Sequence, residues 1–167
     1  MTSNPLPKNQ TGISSQTQVL NTQRRYRISR TAVSSLCDAI LRAMDVPSGR
    51  LAVAFVSARR IRELNRLYLG RDYATDVLSF AYPGEVVEGE PFLGEVVIAP
   101  EIACVQAQRW HVRPEREIRK LLAHGILHLL GYDHETDKGE MIRLQRRLLR
   151  SQRILRTSLF VEAGNGA

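Results

Sequence analysis

The chemistry of this chain is concentrated in HGILHLLGYDH, residues 124–134, which holds three of the four histidines in the sequence. His124 and His128 are four apart, so on a helix their imidazoles project from one face a turn apart. Gly131 follows where that helix should stop, because glycine enters the left-handed C-cap conformation without strain. The chain can then turn back and bring His134 to the other two rings. Three neutral imidazoles on a short frame leave one tetrahedral position open, the arrangement of a catalytic zinc site rather than a closed structural one. Zinc, one ion per chain, is the expected cofactor, although nickel or cobalt suits the same ligands. Asp133 is read either as an acceptor orienting an imidazole or as a plain turn residue.

HxxxHxxGxxH is the ligand pattern of metzincin proteases, whose second motif residue is a glutamate that takes a proton from water. Here that position is Gly125. General-base catalysis contributes roughly 10²- to 10⁴-fold, so its absence argues against peptide hydrolysis. A phosphodiester makes a different demand. Its phosphoryl oxygens accumulate charge that a Lewis-acid metal and guanidinium groups can stabilise, and RNA carries its own 2′-hydroxyl nucleophile.

Charge points the same way. The 167 residues include 24 Lys and Arg against 17 Asp and Glu, and only three of the cations are lysines. The arginine fork suits phosphate oxygens, so a polyanion partner such as RNA is expected. Arg143, Arg146, Arg147, Arg150, Arg153 and Arg156 recur at steps of three and four, with no acid between Met141 and Phe160. Arg143, Arg147 and Arg150 are taken from that stripe as RNA-binding candidates. Trp110 is expected in the core, the alternative being a stacking platform with Arg109 and His111. Asp76 and Ser79 are expected as structural polar groups near the site.

The elements that must position the histidines follow from periodicity. Helices are expected over 31–44, 58–69 (capped by Ser57 and ended by Gly70), 102–109, from Pro114 to Gly131, and over 136–155. Strands are expected at 26–28, 51–56, 76–80 and 92–99, the last two forming a hairpin with a long excursion. The result is an α/β (α+β) fold: one small mixed sheet of three or four strands against about five helices, with the metal-ligand helix central. Residues 1–23 are expected as a disordered tail, 24–158 as a single metal-dependent hydrolase domain, and 159–167 as a second disordered tail. The acid-free, arginine-containing N-terminus also suits an organelle transit peptide, but a tail before a bacterial cytoplasmic domain is preferred. Cys37 and Cys104 fit neither a CxxC nor a disulfide framework and are expected buried and reduced. No apolar run is long enough for a membrane span.

HGILHLLGYDH, together with LNRLYLGRDYATDVLSF at 64–80 and LGEVVIAPE at 93–101, is similar to the YbeY family of bacterial endoribonucleases over about residues 50–140. The resemblance implies an α/β fold, one zinc ion and single-strand-specific RNA cleavage. It also implies a role in 16S ribosomal RNA 3′-end maturation and ribosome quality control, with a ribosomal subunit or ribosomal protein as partner. His124, His128 and His134 fall on the family's three ligands. One position departs. The family has an arginine before the glycine of the 64–80 run, where this chain has Leu69; Arg66 and Arg71 flank it and are the candidates to reach the same phosphate. A ribosome-assembly factor with a mainly structural zinc is the alternative, and a metalloprotease the more remote one.

Overall fold

The computed structural model describes residues 15–46, 48–151 and 158–160. Its elements in chain order are β1 (Ser15–Asn21), α1 (Arg30–Ala43), β2 (Gly49–Phe55), α2 (Ala58–Leu69), β3 (Val77–Ala81), β4 (Val86–Val87), β5 (Glu90–Ile98), α3 (Pro100–Arg109), α4 (Pro114–Leu129) and α5 (Glu140–Leu149). The strands make one mixed sheet in the order β1-β2-β5-β3. β1 runs parallel to β2 and β2 to β5, β3 is antiparallel to β5, and β4 pairs with β5 beyond β3. This is an α+β fold.

Alternation along the strands sends side chains to two different cores. Leu51, Val53, Phe55, Val96 and Ile98 face α1 and α4 in the larger core, whereas Val56, Leu78 and Val97 pack with Ile61 of α2 in a smaller one on the other face. α4 is central, packing against α1, α3, α5, β3 and β5. Its lower surface must approach the sheet closely. A Cβ at Gly94 of β5 would stand 2.2 Å from the Phe80 carbonyl oxygen and 2.8 Å from the Leu129 side chain, so the sheet is thinned where the end of α4 crosses it.

The expected helix signals operate as read. Ser57 Oγ accepts the Arg60 N–H at 3.2 Å, and Gly70 ends α2 at φ +67°. Both cysteines are free and buried, and no helix among the described residues is long and apolar enough to cross a membrane.

Several expectations are corrected. First, β1 lies inside the segment read as a disordered tail. It is an edge strand whose half-buried positions are Thr17, Val19 and Asn21, so only one of its inward residues is apolar. Pairing with β2, and a 2.9 Å hydrogen bond from Thr17 Oγ1 to Asp38 on α1, hold it instead. Second, Leu159 is fully buried, and Ile28 bridges Phe160, so the chain is ordered at the start of the expected C-terminal tail and residues 26–28 form a single bridge rather than a strand. The expectations for residues 1–14 and 161–167 lie outside the described residues. Third, with β1 and the two-residue β4 the sheet has five strands, not three or four. Fourth, α5 begins at Glu140, not 136. Asp137 accepts the N–H groups of Gly139 and Met141 at 2.7 Å each, while Gly139 takes φ +83°, and together these turn the chain into the helix. Arg153 and Arg156 lie outside the described residues.

Candidate metal centre

α4 carries His124 and His128 on one face, one turn apart, at the end that emerges from the core. Leu130 caps the helix and Gly131, at φ +92°, reverses the chain so that Tyr132 and Asp133 lead His134 back. The three ring centroids stand 4.6, 5.1 and 5.3 Å apart. One nitrogen from each ring lies within 4.8 Å of the others. The Nε2 atoms of His124 and His128 are 3.1 Å apart. Two nitrogens at about 2.0–2.1 Å from a tetrahedral ion are separated by roughly 3.3 Å. The pair therefore already has the spacing that a shared ion requires. His134, the exposed member, lies midway along the connection between α4 and α5.

Gln145 of α5 was not anticipated. Its Oε1 lies 3.0 Å from His124 Nδ1 and accepts that proton, which leaves the Nε2 lone pair directed at the site. The sequence signal was weak: a single glutamine among the arginines of an amphipathic helix. Burial holds the His124 imidazole below the ordinary histidine range, and the neighbouring His128 and His134 add to the effect, against the opposing Gln145 bond and Asp76 charge. A neutral ring is the ligating form. Asp133 is a turn residue: its Oδ1 accepts the Glu135 N–H at 3.0 Å and its carbonyl accepts the Asp137 N–H at 3.0 Å.

The position of the missing glutamate has a steric explanation. A Cβ built on Gly125 would meet Val96 Cγ1 at 2.7 Å and Ser79 Oγ at 3.0 Å. The residue after the first ligand therefore faces the sheet, and no side chain fits there. The space a protease base would need is filled by β5 and β3.

His124 and His128 open onto a cleft of about 250 Å³ whose other walls include Asn65, Leu69, Arg71, Tyr73, Thr75 and Ser79. Arg71 thus stands in the wall of the cleft, whereas Arg66, exposed in the last turn of α2, does not line it. Asn65 is a second residue that periodicity did not single out. It is buried on the inner face of α2, and its Nδ2 donates to the Tyr73 carbonyl at 2.9 Å, tethering the loop that carries Arg71. Asp76 and Ser79 lie near the site as expected. Asp76 Oδ1 accepts the Val77 N–H at 2.8 Å, and Ser79 lines the cleft.

The candidate RNA-binding arginines lie on α5 and at its C-cap, and none of them lines the cleft beside the histidines. Arg143 donates to the Lys138 carbonyl at 3.0 Å, and Arg147 is exposed on α5. Arg150 shares a separate cleft of about 580 Å³ with Arg146, Arg116, Arg119 and Leu149. Trp110 is not in the core. It caps α3 just before His111 turns at φ +53°, and is 66% exposed.

Comparison with known proteins places these features in a family. The model of the family described as endoribonuclease YbeY matches residues 13–153. The endoribonuclease YbeY of Thermodesulfovibrio yellowstonii is 34% identical over 149 residues, covering 79% of this chain and 94% of that protein. That of Helicobacter pylori strain G27 is 46% identical over 104 residues, covering 62% and 71%. Among solved structures, the solution structure of TM1509 from Thermotoga maritima is similar at a TM-score of 0.56 and 28% identity, covering 80% of this chain and 86% of that one. The matched segment takes in β1, the whole sheet and all three histidines, and the chain belongs to the endoribonuclease YbeY family.

Proposed function

We propose that the chain is a zinc-dependent, single-strand-specific endoribonuclease. It would act in the cytoplasm on ribosomal RNA precursors, in 16S 3′-end maturation and ribosome quality control, with a ribosomal subunit or ribosomal protein as partner. Family membership supports the nuclease class. The observation that carries the reading is the convergence of three imidazoles, two of which line a cleft whose wall includes Arg71. The donor set, three neutral nitrogens with one position left open, fits zinc.

Each residue then has a task. His124, His128 and His134 hold the ion, and Gln145 keeps His124 in the tautomer that offers Nε2. A divalent ion held there supplies Lewis-acid stabilisation of charge on a phosphoryl oxygen. Arg71 reaches a phosphate from the cleft wall and stands in for the arginine that Leu69 replaces. Gly125 offers no general base and has no room for one, which favours a substrate with an internal nucleophile, the ribose 2′-hydroxyl, over a peptide.

Purified protein incubated with single-stranded RNA, with and without chelator, tests this. Cleavage abolished by chelation and by His124→Ala in a protein that stays folded is the expected result. Binding to ribosomes with no cleavage at all would instead assign a non-catalytic assembly role.

A further inference from the structure

Three of the five tyrosines pair with another ring: Tyr26 with Phe160, Tyr68 with Phe80 and Tyr82 with Phe92. Tyr73 pairs with none among the described residues. It is 53% exposed, yet it lines the same cleft as His124 and His128, and so does Leu69, which is 52% exposed. An aromatic ring and a leucine left open to water beside a polar metal centre are surfaces awaiting an apolar face.

Leu69 ends α2, and the loop that follows it is tethered to that helix at two adjacent residues, Asp72 and Tyr73. Asn65, 1% exposed, holds the Tyr73 carbonyl at 2.9 Å, and Arg62 pairs with the adjacent Asp72 through two contacts of 2.9 and 3.2 Å. A ring carried on a tethered backbone loses little further freedom when it binds. Two residues earlier the same loop carries Arg71, so one short segment offers a phosphate partner and a flat aromatic face side by side.

We infer that Tyr73, with Leu69, forms a nucleobase-stacking subsite in this cleft and selects substrates whose base is unpaired. The inference deepens the nuclease reading and rests on it for the identity of the substrate. A base inside a helix is stacked on its neighbours and cannot present a face to Tyr73 without unstacking. The subsite is therefore a device for preferring single strands. Every base has such a face, so sequence preference at this position is weak. Leu69 has a matching role: an arginine there would extend the charged wall, while leucine widens the apolar one.

The test is a cycle between protein and substrate, using the zinc-loaded full chain and a single-stranded RNA oligomer. The oligomer is compared with versions carrying one abasic nucleotide at successive positions around the cut. Tyr73→Ala should lower kcat/KM roughly tenfold. One abasic position should slow the unsubstituted protein by the same factor, and the two losses should not multiply. Tyr73→Trp should restore cleavage, with zinc content and thermal midpoint unchanged. Losses that multiply at every position, or Tyr73→Ala cutting as fast as the parent, would overturn the subsite. Tyr73→Phe as slow as Tyr73→Ala would do so too, since it assigns the effect to the hydroxyl. If Tyr73→Ala fails to fold, the abasic scan with the parent and Tyr73→Trp still decides. Should the chain cut no RNA, quenching of 2-aminopurine fluorescence in the same oligomer, present in the parent and absent in Tyr73→Ala, reads the stacking separately from the chemistry. No quenching by the parent would then overturn it.

Discussion

The Oε1 atom of Gln145 sits 3.0 Å from Nδ1 of His124, tying α5 to the imidazole that α4 presents. The bond fixes ring orientation and tautomer together, and partners of this kind raise metal affinity typically 10- to 100-fold. Gln145→Ala is therefore expected to weaken zinc binding within that range. Gln145→Glu, which keeps an acceptor at the same place, is expected to retain it. Competition with a chromogenic chelator measures both, and equal affinity for Gln145→Ala and the parent would remove Gln145 from the site.

What the sequence made legible here is the part set by local spacing. His124 and His128 share a face because helices have 3.6 residues per turn, and Gly131 allows the return of His134 for a backbone reason. Gln145 and Asn65 act through contacts 21 and 8 residues away. No periodicity encodes such contacts, since each depends on how two elements pack. β1 escaped for the opposite reason. An edge strand with Thr17 and Asn21 facing inward has too little apolar pattern to register, although the ladder with β2 makes it part of the sheet. Trp110 shows the limit of composition, because its place at the α3 cap overrides the usual preference of tryptophan for the interior.

Gly125 should tolerate no side chain. Gly125→Ala would drive a methyl to 2.7 Å from Val96 Cγ1, and overpacking of this kind costs about 1–3 kcal/mol. Urea unfolding of the metal-free protein should show that loss. Gly125→Glu should be worse and should gain no peptidase activity in a casein digest, since the carboxylate has no route to the histidines. Casein cleavage by that variant would overturn the steric account.

Stability of the metal-free protein should depend on pH through His124. Burial lowers its folded pKa from the ordinary 6.5, so below that value the unfolded chain binds the proton first. The contribution is present above pH 6.5 and is lost as pH falls from there toward the folded value. Glu115, Glu63, Asp72 and Asp137 are also held below their ordinary carboxylate values, but they act in a lower window, below about pH 4.5. Thermal midpoints between pH 7 and 5 should therefore fall in the parent and flatten in His124→Gln. Parallel curves for the two proteins would assign the decline to other groups.

The two candidate arginines should separate. Arg71 stands in the cleft wall and Arg66 does not. Loss of one charge-stabilising donor costs on the order of 10²-fold in rate. Arg71→Ala is expected to slow RNA cleavage by that order, with Arg66→Ala near the parent. Adding Leu69→Arg to Arg71→Ala should recover part of the loss if the guanidinium matters more than the position it comes from. Equal activity of Arg71→Ala and Arg66→Ala would leave the phosphate without its proposed partner.

Leu159 should be a structural anchor rather than part of a tail. It is fully buried, its carbonyl accepts the Ser29 N–H at 2.9 Å, and its own N–H goes to Glu115 Oε1 at 3.1 Å. Those bonds join the chain after α5 to the first turns of α1 and α4. Removing a fully buried leucine side chain costs about 2–5 kcal/mol, the larger values where the site cannot collapse. Here α1 and α4 are both held by the sheet, so the upper part of that range is expected for Leu159→Ala in urea unfolding. The three-histidine site lies at the other end of α4, so metal affinity in the folded variant should stay near that of the parent. A stability change under 0.5 kcal/mol, roughly that of a surface substitution, would mean that the segment packs only loosely against the domain.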